Sequence, residues 1–219
     1  MSRKRVGVVL AGCGYLDGSE IHEAVLTLLY LDEQGAEAVC MAPDVEQAHV
    51  VNHVTGEESG DVRNVLIESA RIARGKVSRI GEVDPGDLDA LILPGGYGVA
   101  KNLCDFAFKG VEMEVIPEVA ELIRAMHGAG KPIGAWCIAP AVLAKVLPGV
   151  ELTIGTDEST GTALNSLGAN HISCEVGNVV IDGEKGVVST PAYMLGPWIA
   201  DVAKGIEAGV TEVLKRAGP

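Results

Sequence analysis

The sequence predicts an α/β protein built on a doubly wound, mainly parallel sheet with helices on both faces, plus a small β-hairpin. Three observations predict it. Short runs that are apolar throughout, such as Val6-Gly7-Val8-Val9-Leu10 and Leu91-Ile92-Leu93, alternate with longer stretches of helical periodicity. Strands apolar on both sides belong in a parallel sheet covered on both faces. The chain has 219 residues, enough for one domain with a substantial core, and we expect a single domain over 1–219.

Taken in order, Arg5–Ala11 reads as the first core strand. Over 19–34, Ile21, Val25, Leu28 and Leu29 recur at helical spacing, and Gly35 stands where a helix-ending left-handed glycine belongs. Glu37–Ala42 is a second strand, Asp61–Arg74 a helix and Lys76–Ile80 a short strand. Leu88–Leu93 is a buried strand stopped by Pro94-Gly95-Gly96. Pro117–Gly128 is a helix, Pro132–Trp136 a strand, and Cys137–Leu147 a helix. Val150–Ile154 and Glu158–Leu167 repeat the pattern. Val179–Asp182 and Gly186–Thr190 flank a turn and read as the hairpin; Pro197–Arg216 is a closing helix.

A net charge of −13 argues against nucleic-acid partners, which require a basic footprint, and against anionic membrane surfaces. No apolar run reaches membrane-spanning length. Met1-Ser2-Arg3-Lys4-Arg5 is basic, but the apolar run behind it is short and broken by glycine, so it reads as a strand rather than a leader. Five scattered cysteines without a Cys-x-x-Cys pair give neither a disulfide framework nor a zinc site. These features predict a cytoplasmic protein without a metal or organic cofactor.

In a doubly wound sheet, chemistry sits beyond the carboxyl ends of the strands. There, Gly134-Ala135-Trp136-Cys137-Ile138-Ala139-Pro140 runs an apolar strand into a helix with no loop between. A nucleophile on such a turn is aimed into the cleft, and a helix N-terminus behind it lowers a thiol pKa. The plain alternative is a buried structural cysteine, the common fate of a cytosolic thiol. At the end of the neighbouring strand, Leu93-Pro94-Gly95-Gly96 lets backbone N–H groups approach a ligand. The N–H groups of Gly96 and Ile138 together suit an oxyanion hole, and Gly95 is a candidate for substrate binding. The third element is acidic. Glu20 and Glu23 are one helical turn apart after the first strand. Glu20 fits dipole compensation or substrate binding, whereas Glu23 lies beside the apolar face and is placed to turn into the cleft.

At these residues the sequence resembles the DJ-1/PfpI superfamily, whose class I glutamine amidotransferase-like fold is flavodoxin-like. The resemblance rests on Glu23, on Leu93-Pro94-Gly95-Gly96 with Asn102-Leu103, and on the Cys137-x-x-Pro140 turn. Within that superfamily it is most similar to the ElbB branch, through Asp17-Gly18-Ser19-Glu20-Ile21, Trp136-Cys137-Ile138-Ala139-Pro140, Thr153-Ile154-Gly155-Thr156-Asp157 and Thr190-Pro191-Ala192-Tyr193-Met194. The resemblance implies a nucleophilic Cys137 hydrogen-bonded to Glu23, glyoxalase activity on small 2-oxoaldehydes without glutathione, and a homodimer. ElbB-type proteins also carry an association with isoprenoid biosynthesis that no residue here explains chemically.

Two departures bear on the branch. The amidotransferase His-Pro-Glu position reads Ser189-Thr190-Pro191-Ala192, and the residue after Cys137 is Ile138 rather than His. The expected activity is therefore conversion of glyoxal or methylglyoxal to glycolate or lactate, with Glu23 as acid/base. The rival is a non-enzymatic redox sensor or interaction protein using an oxidisable Cys137.

Overall fold

The computed structural model describes residues 3–218. β1 (Arg5–Val9) is the apolar run that starts the chain, with Val6, Val8 and Val9 buried. α1 (Ile21–Glu33) follows, then β2 (Glu37–Ala42), the two-residue strands β3 (Val51–Asn52) and β4 (Glu57–Glu58), α2 (Val65–Ile72) and β5 (Ser78–Arg79). β6 (Ala90–Leu93), the short α3 (Phe106–Lys109), α4 (Pro117–Gly128), β7 (Ile133–Trp136) and α5 (Pro140–Val146) form the middle of the chain. The last third holds β8 (Glu151–Leu152), α6 (Glu158–Ser166), β9 (Asn170–His171), β10 (Val180–Asp182), β11 (Val187–Thr190) and α7 (Ile199–Arg216).

The central sheet has the order β10-β11-β7-β6-β1-β2-β5. Its pairs are parallel except for the edge pair β10–β11, the expected hairpin, in which Ile181 faces Val188. The sheet is thus the doubly wound, mainly parallel one that the sequence predicts. Alternate residues of β6 feed two separate cores. Leu91 and Leu93 join Ile123, Met126, Leu143 and Leu164 on the face covered by α4, α5 and α6. Ala90 and Ile92 join Leu31, Trp136, Ile206, Val210 and Val213 on the face covered by α1, α2 and α7. Each such aliphatic side chain contributes roughly 1.5–3 kcal/mol by leaving water.

Several boundaries move inward for local reasons. α1 starts at Ile21 because the Glu20 side chain caps it, accepting from the Glu23 N–H at 2.7 Å. α2 starts at Val65 behind an Asn64 cap that accepts from Ile67 N–H at 3.1 Å. The helix expected from Cys137 begins only at Pro140, since residues 137–139 form a tight turn. The strand expected at Val150–Ile154 shrinks to β8 and pairs with β9 outside the main sheet. The Asp182 carboxylate takes the Glu151 N–H at 2.9 Å and the Ser189 hydroxyl takes the Thr153 N–H at 2.9 Å, so side chains replace a ladder to the sheet. The β3–β4 hairpin and a single wide helical turn at Val99–Leu103 carry no periodicity from which to predict them.

Candidate active site

β7 delivers Cys137 to the carboxyl edge of the sheet, and Trp136 fixes the strand end. The Trp136 side chain is fully buried, and its Nε1–H donates to Thr27 Oγ1 at 3.0 Å. Thr27 in turn donates to the Glu23 carbonyl at 2.7 Å, so the helix of Glu23 is bolted to the strand of Cys137. The backbone then reverses sharply. Cys137 has φ +58°, a left-handed conformation that costs a non-glycine residue on the order of 1–3 kcal/mol. The turn is held by Cys137 N–H donating to Thr190 O (3.0 Å) and by Ala139 N–H donating to Trp136 O (2.9 Å).

The turn after β6 closes the other side. Gly96 has φ +102°, and a Cβ there would collide with the Glu20 N–H and come within 2.5 Å of Gly18 O. A Cβ on Gly95 would overlap the Cys137 Cβ and reach 2.7 Å from Glu23 Oε2. Both positions therefore require glycine, one for its backbone and one for space. Gly95 serves the acids: its N–H donates to Glu23 Oε2 (2.8 Å) and its carbonyl accepts from Glu20 N–H (2.9 Å). It lies behind the cavity wall, which is where the structure departs from the substrate contact predicted for it.

Glu23 has no solvent exposure. Its second oxygen, Oε1, accepts from Tyr193 N–H at 3.2 Å, and the carboxyl meets the Cys137 thiol. Burial, with a smaller contribution from the Glu20 charge, pushes the Glu23 pKa from its ordinary 4.5 up to about 8. The two N–H donors and the thiol oppose this without cancelling it. Cys137 is 8% exposed. Burial, and then the charge of Glu23, push its thiol well above its ordinary value, while the N–H groups of Gly96 and Ile138 favour the thiolate. Burial thus works against the depressed thiol pKa predicted from a helix N-terminus. Two acids in contact in a dry site share their protons, and near neutrality the pair carries at most one negative charge.

Cys137, Gly96, Ile138 and Glu20 open onto one cavity of about 600 Å³. Tyr15, Tyr97, Phe106, Tyr193 and Met194 also line it, and the sequence reasoning assigned none of them a role at the site. Tyr193 is tied in twice, by its N–H to Glu23 and by its hydroxyl to His22 Nδ1 at 2.7 Å. The available signal was Thr190-Pro191-Ala192-Tyr193-Met194, a motif noted for resemblance but given no chemistry. Ala192 has φ +45°, and this bend presents the Tyr193 N–H.

Among the described residues no histidine hydrogen-bonds Cys137. Thr190, at the amidotransferase histidine position, spends its hydroxyl on Asn178 O at 2.7 Å. His171 is engaged in structure, its Nε2 accepting from Ile154 N–H at 3.3 Å.

No family model matches the chain. It is 46% identical over 224 residues to the human glutamine amidotransferase-like class 1 domain-containing protein 3, mitochondrial, covering 98% of this chain and 84% of that one. It is 35% identical over 206 residues to the zebrafish mitochondrial ES1 protein, covering 86% of this chain and 76% of the relative. An isoprenoid biosynthesis protein with amidotransferase-like domain from Ehrlichia chaffeensis superimposes with a TM-score of 0.92 at 40% identity, over 98% of this chain and 100% of that one. DJ-1beta from Drosophila melanogaster shares the fold, with a TM-score of 0.55 at 22% identity over 99% and 96% of the two chains. The mitochondrial relatives overturn the cytoplasmic assignment. Free, scattered cysteines indicate a reducing compartment, and that argument does not separate cytosol from mitochondrial matrix. The chain belongs to the ES1 family of glutamine amidotransferase-like class 1 proteins and shares its fold with DJ-1/PfpI-type structures.

Proposed function

We propose that the chain is a cofactor-independent glyoxalase of the ElbB type, with Cys137 as nucleophile and Glu23 as acid/base. The observation that carries the reading is a buried carboxyl, its pKa raised to about 8, in contact with a cysteine on a strained turn beneath two inward-facing N–H groups. The Cys137 sulfur adds to the aldehyde carbon of glyoxal or methylglyoxal and the thiol proton passes to the carbonyl oxygen, giving a hemithioacetal. While negative charge develops on that oxygen, the N–H groups of Gly96 and Ile138 hold it. A proton then leaves the former aldehyde carbon and returns to the neighbouring carbon through an enediol, which leaves a thioester. Water hydrolyses the thioester to glycolate or lactate and frees the thiol. The aldehyde carbon is oxidised and the adjacent carbonyl reduced within one molecule, so no external oxidant or cofactor enters.

The amidotransferase in the relatives' names finds less support, since Thr190 offers no base to the thiol. A redox-sensing Cys137 would use the same thiol, and the Glu23 carboxyl against it is the feature that favours proton transfer over oxidation alone.

Two variants test the roles. Cys137→Ser abolishes turnover. Glu23→Gln accumulates a Cys137 adduct, seen as a mass increase, without releasing product. Turnover by Glu23→Gln at the wild-type rate refutes the proton-transfer role. The homodimer implied by the resemblance is also part of the proposal; light scattering at micromolar concentration gives twice the chain mass, and a monomer mass contradicts it.

A further inference from the structure

The cavity above Cys137 is far larger than the substrates named above require. Glyoxal and methylglyoxal have about four or five heavy atoms and fill on the order of 100 Å³, judged from the roughly 30 Å³ that each water takes in the liquid. The cavity holds about 600 Å³. Its added space is walled by large apolar and aromatic groups: Tyr15, Tyr97, Phe106, Ile138, Tyr193 and Met194. Tyr15 and Tyr97 line the cavity with 48% and 54% of their surface exposed, so their rings are open to a ligand.

The charge of the lining is equally informative. Among the described residues no Lys, Arg or His side chain lines the cavity, Glu20 is its one acidic residue, and Ser159 and Thr160 add hydroxyls. Lys101 stands by the Tyr97 ring, 5.6 Å from its centroid, but its ammonium donates to Leu16 O at 3.0 Å. His22 is engaged by the Tyr193 hydroxyl. Behind the wall lies a second acid, Glu23. A carboxylate or phosphate on the substrate therefore meets Glu20 with no side-chain cation on the lining to offset it, and only the Ser159 and Thr160 hydroxyls at the start of α6 to receive it. A neutral apolar tail meets complementary surface.

Resting on the glyoxalase reading, we propose that the site selects uncharged 2-oxoaldehydes with an apolar tail of aromatic-ring size over glyoxal and methylglyoxal, and rejects anionic ones. The reaction turns such a neutral substrate into a 2-hydroxy acid anion, whose release the neighbouring Glu20 carboxylate favours. Burying a CH₂ equivalent is worth about a fourfold gain in affinity. A phenyl tail seated even partly between Phe106 and Met194 thus gains at least about tenfold.

The test compares kcat/KM for methylglyoxal, phenylglyoxal and 4-carboxyphenylglyoxal, each divided by its rate of addition to a free thiol to remove intrinsic electrophilicity. Phenylglyoxal exceeds methylglyoxal by tenfold or more, and the carboxylated analogue falls tenfold or more below phenylglyoxal. Phe106→Ala narrows the phenyl-to-methyl ratio several-fold. Equal or inverted ratios overturn the proposal while leaving the glyoxalase reading intact. A second arm needs no turnover: protection of Cys137 from iodoacetamide by 1-phenyl-1,2-ethanediol, 1,2-propanediol and mandelate. The phenyl diol protects at a concentration at least tenfold below the propanediol, and mandelate does not protect. If no oxoaldehyde is turned over, the glyoxalase reading fails, and this arm alone upholds or overturns the ligand class.

Discussion

Replacing Glu23 with glutamine makes the pH dependence of folding report on the buried proton. In the unfolded chain the carboxyl titrates near its ordinary 4.5, and in the fold near about 8. Between those values the native state binds the extra proton, so stability falls as pH rises. The full contribution is present below pH 4.5, declines by about 1.4 kcal/mol per pH unit, and is lost by about pH 8, for a total of about 5 kcal/mol. The amide of the Glu23→Gln variant does not titrate. It has its own cost: Glu23 accepts two backbone N–H groups, from Gly95 and Tyr193, one on each oxygen, whereas the amide has only one oxygen to offer. Leaving one buried N–H unpaired costs about 1–3 kcal/mol. The two effects oppose each other. Wild type is more stable than Glu23→Gln by about 1–3 kcal/mol at pH 4.5, the curves cross between about pH 5 and 7, and the variant leads by about 2–4 kcal/mol at pH 8. Urea unfolding of both proteins from pH 4.5 to 8 measures this directly, and groups that do not touch Glu23 cancel in the difference. A difference that stays constant over that range refutes a proton held by Glu23.

Three further outcomes follow from the same geometry. Alkylation of Cys137 by iodoacetamide is slow at pH 6 and still rising beyond pH 8, because burial and the Glu23 charge disfavour the thiolate; Glu23→Gln moves the midpoint down by removing that charge, and a plateau reached by pH 7 in wild type contradicts the assignment. Gly95→Ala places a Cβ on Cys137 and against Glu23, and lowers kcat/KM for oxoaldehydes by at least about tenfold, against Gly183→Ala as a control at a site with open space around it and no left-handed backbone. Thr27→Val strips the acceptor from the buried Trp136 Nε1–H and costs about 1–3 kcal/mol in urea unfolding, so an unchanged midpoint refutes the proposed link between α1 and β7.

The sheet was legible because its strands are apolar without alternation, and only a sheet covered on both faces makes that pattern favourable. β2 and α4 fall at the predicted bounds, since each ends on a strong local signal: Ala42 before Pro43 for β2, Pro117 and Gly128 for α4. The segments with polar, short-range logic were not legible. The run around β8 buries Val150, Leu152 and Ile154 as a sheet strand would, and only the distant Asp182 and Ser189 side chains divert it. Cys137, Glu23, Gly96 and Glu20 were readable as a cluster because each stands where a strand ends or a helix begins. The aromatic wall was not, since Tyr15, Tyr97, Phe106 and Tyr193 come from four separated segments with no shared period. The thiol pKa was misjudged for a related reason. A helix N-terminus is visible in sequence, whereas burial of the thiol and the charge of Glu23 beside it are tertiary facts.

The central claim is that Cys137 and Glu23 convert a 2-oxoaldehyde catalytically rather than merely capturing it. Proton NMR of methylglyoxal mixed with a hundredfold lower concentration of the protein separates the two. Lactate accumulates well beyond one equivalent of protein, and Cys137→Ser forms none. Methylglyoxal disappearing without lactate, or lactate formed equally by Cys137→Ser, contradicts that claim.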